Sequence, residues 1–379
     1  MRKTIGKDKN GKPVLKAFYG SSKQDAERKY QQWLIERSKG ITIDSDISLT
    51  QAMFAWLWSV EKISKNKSTT FDRYEGIYRL YIDGTSIGYM PIGKIEQITL
   101  QQYYNELYEQ GKSYSQIFNC NKLLRKFFRY CVARGYLLRD PCFGIDLDVY
   151  KEDEDELTID EELEDEGKIE TYTPDEIQKI IHGDYNRKLK IFAKFALGTG
   201  LRHGEILALR TSDVDLDLME VSVTKTLSLL KVFDDPEKYH YEWKATKPKT
   251  KSSRRKVPIP TELKKDLQEL SKIRIEEKLK LGQAYNDNDL LFPSATGTYL
   301  DQRNVLRAWE RALKRIGVEY KDIHALRHTY ATQLIENGVP LMTVSRLLGH
   351  STIKTTERYV HVLQESKRDE VQKLNKLFV

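Results

Sequence analysis

The sequence predicts a multidomain, mainly helical protein with one small antiparallel sheet set into its second half. Three observations carry this. At 379 residues the chain is longer than one typical core organises. Apolar residues between Ser48 and Cys142 recur at helical spacing, whereas strand-like alternation is concentrated between Val214 and Ile259. Between the two regions, residues 146–170 carry fourteen Asp and Glu against Lys151 and Lys168, with few aromatics and little hydrophobic periodicity, as an interdomain linker does. The expected organisation is a small α+β module over 1–45, an all-α bundle over 46–145, the acidic linker over 146–170 and a mixed, mainly α domain over 171–379.

In the first module, Asn10-Gly11 is a hairpin turn signal, and Val14 to Tyr19 supplies the second strand. Ser21-Ser22-Lys23-Gln24 fits a capping box, and Ala26, Tyr30, Trp33 and Leu34 form the stripe of a helix that ends near Gly40. The bundle follows from four stripes. They are Ala52, Met53, Trp56, Leu57 and Val60; Phe71, Tyr74, Tyr78 and Tyr81 or Ile82; Leu100, Tyr103, Tyr104 and Leu107; and a longer helix from about Tyr114 to Arg134, stopped by Gly135. Each stripe is too narrow to stand alone, so the four should pack together.

Thr173-Pro174-Asp175-Glu176 has the N-cap, N1 proline and first-turn acids of a helix start. Further helices are expected from Lys188 to Leu197, from Ile206 to Leu209, from Leu263 to Leu281 and from Gln302 to Ile316. Strands are expected at Val214–Thr224, Tyr239–Thr246 and Arg254–Ile259, forming one three-stranded sheet. The last two strands flank a basic turn that runs from Lys247 to Lys256. In the final module, Asn337-Gly338 ends a helix, Thr343 to Leu348 gives a short one, and Ser351 or Thr352 caps a third. No internal repeat and no Walker-type glycine loop is present.

Composition narrows the function. No run of about 18 apolar residues could span a bilayer, and Met1-Arg2-Lys3-Thr4 leads into Gly, Asp and Asn rather than an apolar run, so a soluble, cytoplasmic protein is expected. Cys120, Cys131 and Cys142 match no metal-ligand spacing and read as reduced core residues. The net charge of +7 conceals a division: the acidic stretch stands at −12, which leaves +19 on the rest. That excess fits either a polyanion-binding surface or a lysine-rich exterior. The basic positions are Lys7, Lys9, Lys12 and Lys16 in the hairpin, Lys65 and Lys67 between helices, Lys122, Arg125, Lys126 and Arg129 on the fourth helix, and Lys247, Lys251, Arg254 and Arg255 in the basic turn. Each is a candidate phosphate contact or a solvated charge.

The chemistry concentrates between His324 and Tyr359. Arg327 follows His324 by three residues, so on a helix the two point the same way. His350 closes Leu347-Leu348-Gly349-His350, and Tyr359 lies nine residues further on. Two imidazoles, a guanidinium and a phenol suit an anionic phosphate attacked by a tyrosine, and the acidic cluster that a metal site wants is missing. Arg202 begins another helix after a Thr-Gly turn, with Glu205 three residues on to hold its guanidinium.

At Thr199-Gly200-Leu201-Arg202-His203-Gly204-Glu205, His324-Ala325-Leu326-Arg327-His328-Thr329, Leu347-Leu348-Gly349-His350 and Tyr359, the sequence closely resembles the tyrosine recombinase (phage-type integrase) family, closest to integrases of phages and conjugative transposons. The resemblance covers residues 48–379. It implies the tyrosine recombinase fold, a core-binding helical domain followed by a catalytic domain, and site-specific DNA strand exchange that integrates and excises a mobile element. The hairpin and helix of residues 1–45 look like an arm-type DNA-binding module, although the chain lacks the full first strand of the three-stranded sheet usual there.

By the same resemblance, Arg202, Arg327 and His350 stabilise the pentavalent phosphate, and Tyr359 attacks to form a 3′-phosphotyrosine. His324 receives the phenol proton, since an ordinary tyrosine hydroxyl has a pKa of about 10. Lys249 protonates the leaving 5′-oxygen, with Lys247 and Lys251 as alternatives. One phosphoester replaces another, so no ATP, metal or other cofactor is implied. Implied partners are double-stranded DNA at core sites and at arm sites, three further copies of the chain in a tetramer, and an accessory or directionality protein. The tail from Leu363 to Val379, apolar at Val371, Leu374, Leu377 and Phe378, would dock on a neighbouring protomer or on its own domain. His182, His203, His240, His328 and His361 are left as structural or exposed residues.

Overall fold

Two short basic strands open the chain as an antiparallel pair, β1 (Arg2–Lys7) and β2 (Pro13–Ala17). In this computed structural model the described residues are 2–7, 13–38, 47–63, 68–150, 169–236, 238–246 and 252–360. Pairing sets Lys7 opposite Pro13 and Lys16 opposite Lys3. The expected turn at Asn10-Gly11, with Lys9 and Lys12, lies outside the described residues. Helix α1 spans Lys23–Ser38. Its cap is one residue later than the sequence suggested: Ser22 Oγ accepts from the Asp25 amide at 3.1 Å, and the Asp25 carboxylate accepts from the Ser21 amide at 3.1 Å. The carboxylate of Asp25 can answer an orphan N–H in a way that fixes the frame, which displaces the Ser21/Gln24 alternative.

The chain divides into two compact units, Met1–Leu157 with Lys231–His240, and Thr158–Leu230 with Tyr241–Val379. In the first unit the four apolar stripes become α2 (Leu49–Trp56), α3 (Ser68–Tyr81), α4 (Gln97–Glu109) and α5 (Tyr114–Ala133). Ser48 caps α2 and a Ser113/Gln116 box caps α5. Gly135 follows α5 at φ 74°, the left-handed position expected of it. The stripes meet in one core that includes Met53, Trp56, Leu57, Phe71, Tyr78, Ile82, Leu100, Tyr104, Phe127 and Phe128. All three cysteines are free and buried there, and burial pushes the Cys120 and Cys131 thiols up to about 12. Residues 231–240 belong to this unit as well. The buried Lys231 ammonium lies 2.9 Å from Glu75 Oε2 and 4.0 Å from the Tyr239 ring centre, while Phe233 packs edge-on against Trp58. Of the acidic stretch, residues 151–168 lie outside the described residues, as do Lys65 and Lys67.

The second unit begins with α6 (Pro174–His182), whose Thr173/Glu176 capping box forms as its sequence predicts. Then come α7 (Arg187–Thr199) and α8 (His203–Ala208). A three-stranded sheet does follow, but its membership differs from expectation. It pairs β3 (Val214–Asp215), β4 (Glu220–Val223) and, after two intervening strands, β7 (Arg255–Pro258), in the order β3-β4-β7. The Val214–Thr224 run is cut in two because the Asp215 carboxylate accepts from the amides of Asp217 and Leu218, both at 2.9 Å, and turns the chain back. Tyr239–Thr246 is β6, and it pairs with β5 (Thr226–Phe233) as a separate two-stranded ribbon. The sequence reading missed β5 because Leu229-Leu230 interrupts its alternation.

Val221 and Val223 of β4 and Val257 of β7 point into a core shared with Phe192, Phe195, Phe292 and Trp309. Around it stand α9 (Leu263–Leu281), α10 (Gln302–Arg315), α11 (Ala325–Glu336) and α12 (Leu341–Leu348), and residues 354–360 are helical. Among the described residues, no helix is long and apolar enough to cross a membrane. The tail from Leu363 onward lies outside the described residues.

Candidate active site

The second unit brings three distant segments together. The first is the turn between α7 and α8. Gly200 ends α7 at φ 61°, and a Cβ there would meet the Tyr330 ring at 2.2 Å, so glycine is required by conformation and by space. Arg202 then occupies the N-cap of α8 with its side chain about one-third exposed. Glu205 accepts from the Arg202 backbone N–H at 2.9 Å and lies 3.6 Å from its guanidinium, the pairing the sequence suggested.

The second segment is the start of α11. His324 sits at its N-cap with its amide bound to Asp322, and Arg327 lies three residues on, almost wholly buried. Burying a guanidinium requires partners for its N–H groups. Arg327 donates to the carbonyl of Gly200 at 2.7 Å and to the carbonyl of Leu348 at 3.0 Å, which ties the arginine turn to the end of α12. It also lies 2.9 Å from His350 Nε2. A guanidinium can only donate, so Nε2 accepts and the ring proton sits on Nδ1, which reaches Thr356 Oγ1 at 2.8 Å.

The third segment is residues 354–360. Tyr359 is buried among Ala331, Val344 and Leu348, and its ring stacks parallel to His350 with centroids 6.5 Å apart. Its hydroxyl lies 2.9 Å from Nδ1 of His328. His328 packs edge-on to His324, with ring centres 4.8 Å apart. Arg327, His328, His350 and Tyr359 therefore form one linked set, with Arg202 joined to it through Gly200 and Glu205.

One basic residue read as a DNA contact has another position. The Arg255 side chain is 6% exposed and forms a two-pronged ion pair with Glu205, at 3.0 and 2.9 Å, and its Nε donates to the Leu347 carbonyl. Arg255 faces inward because it begins β7 opposite the buried Val223. Burial by itself would raise the Glu205 carboxyl, but Arg255, with Arg327 and Arg202 nearby, brings it below the usual carboxylate range. Of the other candidates, Arg125 and Arg254 are exposed and Lys122 is half-buried. The strands place Lys7 and Lys16, while Lys247, Lys249 and Lys251 lie outside the described residues. Sequence reasoning gave His328 no role and passed over Thr356. Their signal was spacing: His328 follows His324 by one helical turn, and Thr356 precedes Tyr359 by three residues.

Residues 170–366, more than half of the chain, match the phage integrase family. The chain belongs to that family. A relative from Caldanaerobacter subterraneus subsp. tengcongensis, described as tyrosine recombinase XerC-like, is 40% identical over 381 residues, which covers 99% of this chain and 95% of that protein. The ICEBs1 integrase of Bacillus subtilis is 26% identical, covering 92% and 87%. Among solved structures, the Tn1549 transposon integrase in complex with transposon right end DNA aligns with a TM-score of 0.64 at 21% identity, over 87% of this chain and 100% of that one. A lambda integrase tetramer bound to a Holliday junction aligns with a TM-score of 0.57 at 17% identity, over 93% and 90%. The recombinase thus has the tyrosine recombinase fold, and its activity is site-specific DNA recombination.

Proposed function

We propose that this recombinase cuts and rejoins DNA through Tyr359, integrating and excising a mobile element. The observation that carries the reading is the Arg327 guanidinium, which links the Arg202 turn, His350 and the end of α12 beside the buried Tyr359. A phosphodiester repels an oxyanion, and its pentavalent transition state concentrates charge on the non-bridging oxygens. Two guanidiniums answer that charge, with His350 Nε2 accepting from Arg327 and holding its guanidinium at the site. Tyr359 Oη gives its proton to an imidazole of the site, His324, and forms a bond to phosphorus as the bond to the 5′-oxygen breaks. A lysine of the basic turn, Lys249 first and Lys247 or Lys251 otherwise, protonates the leaving oxygen. A partner strand's 5′-hydroxyl then reverses the step.

The finer organisation belongs to the same proposal. Residues 46–145 act as the core-binding domain, 146–170 as a linker, 171–379 as the catalytic domain and 1–45 as an arm-type module. Lys65, Lys67, Lys122, Arg125, Lys247, Lys251, Arg254 and the hairpin lysines are phosphate contacts. Double-stranded DNA is the substrate, a homotetramer in the cytoplasm is the working assembly, and an accessory protein sets direction. Support comes from the lambda integrase tetramer on a Holliday junction and the DNA-bound Tn1549 integrase, which share this fold.

The test is a covalent adduct. Incubated with nicked duplex carrying the joined ends of its element, the protein should form a protein–DNA band that survives denaturing electrophoresis. Tyr359→Phe should abolish the band, while Arg202→Ala should bind the duplex normally and cleave it more slowly by orders of magnitude, on the order of 100-fold or more. A band undiminished by Tyr359→Phe would remove Tyr359 as the nucleophile.

A further inference from the structure

His324 and His328, at the N-cap and in the first turn of α11, lie on one face, one turn apart, and the Tyr359 hydroxyl lies 2.9 Å from Nδ1 of His328. Both partners are buried, His328 at 2% and Tyr359 at 0% exposure. A hydrogen bond between two buried groups is favoured because breaking it leaves a desolvated hydroxyl and a desolvated ring nitrogen. The bond also has leverage. The phenol has two torsions of its own and rides on a short helical segment, whereas His328 belongs to a helix whose next residue, Thr329, accepts from the Tyr172 amide at 2.9 Å and donates to the Ala325 carbonyl at 2.7 Å. Arg327, the residue before His328, is fixed on three sides. The same turn of α11 that holds the phosphate-binding guanidinium therefore also holds the phenol.

We infer that His328 is a positioning residue for the recombination reaction: its Nδ1 anchors the hydroxyl of Tyr359 and sets the phenol beside Arg327 and His350. The inference rests on Tyr359 being the nucleophile. With the phenol as donor to Nδ1, this bond itself uses no lone pair of Oη. The anchor acts on the rate of attack and leaves the affinity for DNA alone, because the His328 Nδ1 is engaged with the Tyr359 hydroxyl. It adds a second imidazole to the expected one, His324, whose ring centre lies 4.8 Å from that of His328.

The experiment compares wild type, His328→Ala, His328→Asn and Tyr359→Phe in single-turnover cleavage of the nicked duplex, with DNA affinity and the thermal transition measured on the same samples. The expected result is a Tyr359-dependent adduct that forms on the order of tenfold or more slowly in His328→Ala at unchanged DNA affinity, as loss of one buried hydrogen bond entails. His328→Asn, whose side-chain amide can again bond the phenol, should recover most of the rate. A role in packing alone would not produce that recovery at equal stability. Wild-type cleavage by His328→Ala would overturn the anchor while leaving Tyr359 as the nucleophile. Equal loss in His328→Ala and His328→Asn, with both proteins folded and binding DNA, would overturn it too, since the hydrogen bond would then not be what matters. An adduct that persists in Tyr359→Phe would instead remove the nucleophile assignment on which the inference stands.

Discussion

Replacing Glu205 with Gln should cost stability and catalysis through two separable routes. In the native fold Glu205 and Arg255 are 3% and 6% exposed and joined by two short N–H···O contacts, while the same carboxylate accepts from the Arg202 amide. Removing one charge of a buried pair leaves the other desolvated and unpaired, which typically costs about 3–5 kcal/mol. Denaturant titration of wild type, Glu205→Gln, Arg255→Met and the double variant Glu205→Met/Arg255→Met should therefore show large losses in the single variants and recovery of much of the loss in the double one. Cleavage should behave differently. The double variant stays slow, because Arg202 has lost the carboxylate that orients its backbone and guanidinium. The pair also has an acid limb. The folded carboxyl is lowered, so its contribution is complete above the unfolded value of about 4.3 and is lost as pH falls through the folded one. A double variant that regains both stability and full cleavage would refute the orienting role of Glu205, and a Glu205→Gln protein as stable as wild type would refute the buried-pair energetics.

Two further outcomes follow from buried features of the same unit. Burial lowers the His203 imidazole to about 4 against a slight opposing pull from Asp322, so the fold should lose about 2 kcal/mol between pH 7 and pH 5, where unfolded histidine takes up a proton and Glu205 does not yet titrate. His203→Gln should flatten that limb in denaturant titrations at the two pH values, and an unchanged slope would count against a neutral buried imidazole. Gly200→Ala forces a Cβ against the Tyr330 ring at φ 61° and should destabilise by roughly 2–4 kcal/mol while slowing adduct formation, since Gly200 supplies the carbonyl that Arg327 holds. A stable, active Gly200→Ala protein would show that the turn can relax away from Tyr330.

What the sequence disclosed, and what it withheld, follows from how local each signal was. Helices α2 to α7 were legible because periodicity, caps and glycine stops act within a few residues: the Thr173/Glu176 box and the Gly135 stop formed where they were written. Arg202, His324, Arg327, His350 and Tyr359 were legible as a set because their order and spacing carry a family resemblance. The sheet was not, since pairing is a contest between distant segments. Tyr239–Thr246 alternates as well as any strand, yet it found β5 rather than β4. Arg255 illustrates the same limit for charge. In sequence it is one cation in a basic run, and only the register of β7 turns it inward toward Glu205.

The anchoring of Arg327 bears on how far sequences of this kind can drift apart. Two of its partners are main-chain carbonyls, those of Gly200 and Leu348. A carbonyl accepts a hydrogen bond whatever side chain its residue carries, so a change at position 348 that preserves the helix end leaves the guanidinium where it was. Side-chain pairs such as Glu205 with Arg255 must change together or not at all. A pocket held largely by the backbone can thus keep its shape while its surroundings are rewritten, and solved integrase structures at 17–21% identity still share this fold.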